Sequence, residues 1–521
     1  MTLRCPKCGS GVTKGGNARG RQRYWCKTRD WQGTDPVGLE VAQAAGVPRK
    51  HADRLHHKIS ADSHKCRHYV VTSAQNATPI HTAFFKSLLN YCAVNKAQLL
   101  VIPYRYKNPT SIWSEKAKHD DWWAPELTPY LLDRRIELNH HLVVLADIKT
   151  QPTASRPLQG FETITGAKSG IVGHPKLELI TIATPQAKLP KILTTTGSVT
   201  RVNYLPGKAG KKGEHHHTFG AAVVEVDGDL FHLRQINAIR NGSFMDLRRE
   251  YTATTSFEFP AVAALVMGDS HIEFIDPDVV GATFGRGGIV ESLRPERLVW
   301  HDVNDFYARS HHDRDDTFIA YAKHHFGRNN VEAEIDKTFA FIDAHTKAGV
   351  ENVIVYSNHS HDFLSRWVKE ANPKMDPENA VFWARTFEAM CLGSKMSDTG
   401  AETIDPFAYW AERKMKKFAQ SRFLNEDESY LVRGIEVGNH GNRGVNGSRG
   451  SIAQYGRIGV KTVTGHTHVP GIQDGAYRVG TNSLLKLSYV KGPSSWLQTD
   501  AVIYPNGKRT LINIIDGRWR A

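Results

Sequence analysis

Five polar clusters recur in order along the second half of the chain: Asp269-Ser270-His271, Asp302-Val303-Asn304-Asp305, Asn358-His359, His440 and Gly465-His466-Thr467-His468. They offer oxygen and imidazole donors without thiolate, a set that suits manganese, iron or zinc. Two divalent ions roughly 3.5–4 Å apart need a carboxylate that can bridge them, with neutral ligands to limit the negative charge. Asp302 is the expected bridge. Asp269 and His271, one residue apart on a loop, face one ion, to which His468 returns; Asn358, His440 and His466 complete the other. Such a pair lowers the pKa of a bound water for in-line attack on phosphorus and neutralises the phosphoryl oxygens. His359 follows Asn358 and points from the other side of the backbone, so it is the expected catalytic residue, protonating the leaving oxygen or stabilising transition-state charge. One Gly-His-Thr-His among 26 histidines would mean little; the weight lies in five clusters in succession.

Ligands need elements that aim them. Each cluster directly follows an apolar run: residues 261–267, 298–300, 353–356, 434–437 and 460–464. Short runs of this kind read as buried strands, and open α/β sheets keep their sites at the carboxyl ends of strands. Val331, Ile335, Phe339 and Ile342 fall at helical spacing and read as a core stripe. His311, His312, His324, His325 and His361 stand outside the motif order and are expected to be solvated or hydrogen-bonded. His361, two residues from His359, is the one exception to watch.

On these residues the stretch from about 260 to 485 resembles the calcineurin-like metallophosphoesterases. Their successive motifs are Asp-x-His, Gly-Asp-x-x-Asp/Asn, Gly-Asn-His-Asp/Glu, a lone His and Gly-His-x-His. The matches are Asp269/His271, Asp302/Asp305, Asn358/His359, His440 and His466/His468. The resemblance implies an αββα sandwich and phosphoester hydrolysis. The chain departs from it where His301 and Ser357 replace glycine, and where the acid after the third-motif histidine is displaced to Asp362. These changes bulk the second and third loops and keep every ligand.

At 521 residues the chain exceeds one ordinary core. The expected class is α/β: a catalytic domain over 256–521, an α/β accessory domain over 66–255, and a small module over 1–65. In that module Cys5, Cys8 and Cys26 suggest a structural zinc site resembling the zinc ribbon that opens many transposases. Arg29 stands where the fourth cysteine belongs, so Asp30, His51, His56, His57 or Cys66 completes the site, or the metal has been lost. Residues 36–58 read either as a helix-turn-helix or as a plain helical linker. In the accessory domain, strands at 69–72, 99–103 and 142–145 around a helix over 79–95 suggest a parallel sheet, and Asp227-Gly228 signals a hairpin. Residues 208–217 read as a basic, flexible loop that is either solvated or in contact with a phosphate backbone. Few cysteines, no apolar run of membrane length and no apolar leader point to a reducing cytoplasm and exclude a membrane partner.

Lys and Arg number 67 against 53 Asp and Glu, a net charge of +14. Residues 1–67 hold 14 of the former and 5 of the latter, so +9 of that excess lies there. A basic arm beside a phosphoesterase centre points to DNA as the partner. Arg443 and Arg449, on a Gly-rich loop after His440, are the expected backbone contacts, and Trp113, Trp122 and Trp123 are candidate stacking surfaces. This layout resembles most the metallophosphoesterase-type DNases of large tailed phages, which break down host DNA early in infection. A phosphatase or cyclic-nucleotide phosphodiesterase, and a non-catalytic DNA-binding regulator, are the alternatives. Oligomeric state is left open, a homo-oligomer included.

Overall fold

The computed structural model describes residues 67–106, 122–185, 190–313, 316–488 and 490–521, together with short stretches and isolated positions before residue 60. Cys5, Cys8, Arg29, the candidate fourth zinc ligands, Trp113 and nearly all of 36–58 lie outside the described residues. The chain divides into two units, one of Met1–Ile180, Ile192–Glu258 and Arg520–Ala521, the other of Thr181–Lys191 and Phe259–Trp519.

In the first unit, β1 (Thr13–Ala18), β2 (Arg21–Cys26) and β3 (Trp31–Gly33) form an antiparallel sheet, with Cys26 buried at the end of β2. Further on, β4 (His68–Gln75), α1 (Thr82–Asn95) and β5 (Gln98–Tyr104) make a parallel βαβ unit. His81 Nδ1 caps α1 by accepting the Phe84 N–H, and Lys96 ends the helix in the left-handed conformation. The face carrying Phe84, Leu88 and Tyr91 is buried in the core with Val70, Val101 and Val223. Residues 208–217 are not a loop: Lys208–His216 form a helix, α2. Glycines drop out of helix patterns because of their weak propensity, and here Gly210 and Gly213 are buried, with no room for a Cβ at 210 and little at 213. Next, β6 (Gly220–Asp227) and β7 (Leu230–Asn237) pair as the expected hairpin, with Gly228 at φ +60° in the turn. The sheet order is β7-β6-β4-β5.

Arg234 on β7 is buried against two carboxylates, Asp246 (2.6 Å) and Glu225 (2.5 Å), and Tyr91 donates to Asp246 at 2.8 Å. Burial alone would raise both acids, but Arg234 outweighs it and holds them below their ordinary values. Their contribution to stability is therefore complete above the ordinary carboxylate range and is lost as pH falls below that range through their lowered values. Arg234→Leu strands two buried charges and is expected to cost about 3–5 kcal/mol. Urea unfolding at neutral pH measures this; a loss below 1 kcal/mol would mean the network is dispensable.

The second unit is mixed α/β. Among its elements, those that frame the polar clusters are, in order, β8 (Ala264–Val266), β9 (Arg297–Trp300), α3 (Val331–His345), β10 (Glu351–Ile354), β11 (Ser421–Phe423), β12 (Ile435–Glu436), β13 (Lys461–Thr464), β14 (Ala476–Arg478), β15 (Thr499–Ile503) and β16 (Arg509–Asn513). One sheet runs β11-β10-β9-β8-β15-β16, its first four strands parallel and its last two an antiparallel pair. In a second sheet β12, β13 and β14 are parallel. Val331, Ile335, Phe339 and Ile342 are the buried stripe of α3, whose N-terminus Asn330 caps through the Ala333 N–H. Among the described residues no helix is long and apolar enough to cross a membrane.

Candidate metal centre

All five clusters leave the carboxyl ends of strands, three from the first sheet (β8, β9, β10) and two from the second (β12, β13). The loops are laced by backbone hydrogen bonds. Ser270, His271 and Ile272 donate to the carbonyls of His301, Asp302 and Val303, and Gly465 donates to His440. Four ligand candidates take left-handed backbone: His271 (φ +37°), Asp302 (+42°), His466 (+78°) and His468 (+58°). Non-glycine residues rarely sit there, and each costs on the order of 1–3 kcal/mol, strain that collects at functional sites. Gly465 is dictated by space, since a Cβ there would run into the Asp269 carboxylate.

The side chains converge. Asp269 Oδ2 lies 3.1 Å from His468 Nε2, and His468 Nε2 lies 3.0 Å from His271 Nε2. Asp302 Oδ2 is 3.3 Å from His440 Nε2 and 3.9 Å from His271 Nε2. Two trios thus have ligand atoms close enough to share a cation: Asp269, His271 and His468, and Asp269, Asp302 and His440. A third, His271, Asp305 and His359, adjoins them. Asp269 is therefore common to both groups, while Asp302, the residue to which the sequence pointed, belongs to the second and lies 3.9 Å from His271 of the first. His466 donates its N–H to Asp269 (3.1 Å) and sets its ring 5.3 Å from that of His440. Asn358 follows β10, and its side-chain oxygen is buried without a hydrogen-bond partner. His359 donates its N–H to Asp302 (3.2 Å), and its Nδ1 donates to the Asp305 carbonyl (2.9 Å).

Charge in the centre is balanced by protons. Burial alone would lower His271, but Asp305 and then Asp302 outweigh it and push it up to about 9. His440 is raised the same way by Asp302 and Asp269. In turn His359 and His440 hold Asp302 well below the carboxylate range against burial, and His440 and His468 do so for Asp269. His466 falls to about 4, through burial and then His440. Buried carboxylates thus raise the imidazoles of His271 and His440 where cations would fit.

Several contributors escaped the sequence reading. His301 is fully buried, its Nδ1 3.4 Å from His440 Nδ1. Its place before Asp302 was the signal. Asp500 on β15 accepts the Gly268 N–H at 2.8 Å and Asn482 at 3.1 Å, and Asn482 donates its own N–H to the Asp269 carbonyl. Trp496 packs on His468 with ring centroids 4.1 Å apart. Nothing in the local pattern marks Asp500 or Trp496, because only the antiparallel return of β15 brings them in. His361 is buried rather than solvated; its Nδ1 accepts the Ser357 N–H at 3.1 Å and its ring stacks on Tyr356. Arg443 is engaged by Asp362 at 3.1 Å and by Glu426, while Arg449 is exposed. Trp123 is core, donating to the Ala74 carbonyl at 2.9 Å, so it presents no stacking surface; Trp122 is half-buried.

No protein-family model matches the chain. The solved structure of Chaetomium thermophilum Vps29 aligns with 37% of this chain and all of that one, at 8% identity and a TM-score of 0.20, a likeness too slight to bear on the fold. Protein A1 of Escherichia phage T5 is 33% identical over 468 residues, which span 87% of this chain and 83% of that protein. A likeness running through both units at that level is common descent, and the chain belongs to the family of phage T5 protein A1.

Proposed function

We propose that the chain is a metal-dependent DNase of phage type, built on a calcineurin-like sandwich, that hydrolyses phosphodiester bonds in the host cytoplasm. The observation that supports this best is the convergence of Asp269, His271, Asp302, His440 and His468 from separate strand ends in that family's motif order. The residues fit divalent ions. Asn358 Oδ1 is buried without a hydrogen-bond partner, and an orphan of this kind calls for a missing ligand. An oxygen and imidazole set suits manganese, with iron or zinc as alternatives. Asp269, His271 and His468 would hold one ion and Asn358, His440 and His466 the other, with Asp302 between. When bound, two such ions lower the pKa of water and neutralise phosphoryl charge.

The chain's own groups do the rest. A carbonyl can only accept, so the bond to Asp305 puts a hydrogen on His359 Nδ1 and leaves Nε2 free to take up a proton from water and then pass it to the leaving oxygen. Asp302 fixes that loop by accepting the His359 N–H. Arg449 is exposed and available to a backbone phosphate; Arg443 must first leave Asp362 and Glu426. The deciding experiment incubates the protein with manganese and supercoiled or end-labelled linear DNA. Intact DNA at every metal concentration would end the nuclease reading, and cleavage of a small aryl phosphate diester alone would mark a phosphodiesterase instead.

Two further outcomes follow from the geometry. His271 carries a proton up to about pH 9, and a ligand imidazole must shed it. Manganese affinity should therefore rise about tenfold per pH unit below that value and level off above it. Calorimetry in buffers of different ionisation enthalpy counts the protons released, and none at neutral pH would contradict this. His301 Nδ1 faces His440 Nδ1 while His440 Nε2 turns to Asp302, so His301 can orient a ligand. His301→Leu should weaken binding of the second ion about 10–100-fold, and His301→Asn, which keeps an acceptor, should weaken it less. Equal losses in the two variants would reduce His301 to a space-filler.

A further inference from the structure

Helix α2, Lys-Ala-Gly-Lys-Lys-Gly-Glu-His-His, forms against its own preferences. It holds two glycines, which weaken a helix interior. Lysines crowd its first half, where the macrodipole favours acids, and its first turn contains no acidic residue. Its packing explains the glycines. A Cβ at Gly210 would strike the Leu205 carbonyl, and one at Gly213 would press on Thr153 Cγ2 at 3.2 Å. With the glycines facing inward, Lys208, Lys211, Lys212 and His215, at i, i+3, i+4 and i+7, share the opposite, exposed face. These cations are lightly held. Lys211 pairs with Glu214 at 2.9 Å and Lys212 reaches the Ser155 hydroxyl at 3.1 Å, both at the surface. Screened surface pairs of this kind are readily exchanged for a stronger anion. Packing has been arranged to hold three lysines on one rigid face at the expense of the helix itself.

We propose that this face of α2 binds the phosphate backbone of duplex DNA. The proposal rests on the nuclease reading and adds where the first unit grips the substrate. A rigid row of lysines supplies sequence-independent contact, which suits an enzyme that degrades DNA at large.

The test uses the full chain, without added divalent metal so that nothing is cut, and a dye-labelled duplex followed by fluorescence anisotropy across a salt series. Each phosphate contact contributes about 0.9 to the slope of log affinity against log salt. Replacing Lys208, Lys211 and Lys212 together by Gln should therefore flatten that slope by about 2 to 3 and weaken binding at low salt. Lys208→Glu alone places an acid in the first turn, so it should weaken binding without lowering the melting temperature, which separates the effect from unfolding. With manganese present, hydrolysis of bis(p-nitrophenyl) phosphate should match wild type in both variants. A wild-type slope in the triple variant, with wild-type DNA cleavage, overturns this surface and leaves the nuclease reading standing. A wild-type chain that hydrolyses the aryl diester yet neither binds nor cuts DNA overturns both.

Discussion

Asp302→Asn is expected to lower hydrolysis of DNA and of an aryl phosphate diester alike, on the order of 10³-fold. It should also abolish the gain in melting temperature that manganese gives the wild type. Asparagine keeps the shape and can still accept the His359 N–H that Asp302 accepts at 3.2 Å. What it loses is the charge lying 3.3 Å from His440 and 3.9 Å from His271, one imidazole from each cation group. At a metal concentration a hundred times the dissociation constant, binding stabilises the wild type by about 2.7 kcal/mol, and the variant should show little of it. Differential scanning fluorimetry with and without manganese reads the binding, and initial rates read the chemistry. A variant that keeps the thermal gain and the rate would remove Asp302 from the centre.

His359→Ala should separate those two effects. The ring is not in either of the trios that hold Asp269, and its Nδ1 is occupied by the Asp305 carbonyl. The melting-temperature gain with manganese should therefore survive, while turnover of DNA falls about 10²–10⁴-fold, the usual worth of a positioned proton donor. The defect should depend on the leaving group. A deoxyribose oxygen needs a proton as it departs, whereas p-nitrophenolate leaves readily without one, so the loss on bis(p-nitrophenyl) phosphate should be much smaller. An equal loss on both substrates would rule out proton donation and point to charge stabilisation by His359.

Much of this centre is legible in the linear chain because strands and their exits are local events. An apolar run ending at Asp269, Asp302, Asn358, His440 or His466 announces both the strand and the place where it stops, and the structure puts a strand before each. The stripe of α3 is legible for the same reason: period is a property of a single segment. Local reading fails where packing decides. Residues 208–217 look like a loop because two glycines interrupt them and no apolar stripe marks a helix, and only the approach of the Leu205 carbonyl explains why glycine stands at 210. Trp123 could stack on a base or fill a core; burial against Ala74 chooses the core. Arg443 reads as a free cation until Asp362 and Glu426 are seen beside it.

The sequence by itself determined which residues can act and in what order they are presented, because ligand chemistry and strand termination are both written in neighbouring residues. The tertiary structure decided how those residues meet. It turned His271, Asp302, His466 and His468 into left-handed backbone so that their side chains converge. It made Asp269 common to the two cation groups and set Asp302 between a histidine of each. It also brought in Asp500, from a strand some thirty residues past the last motif, and Trp496, from the segment just before that strand. Those outcomes depend on the register between two sheets and on the space left around Gly465, quantities that exist only once the strands have paired.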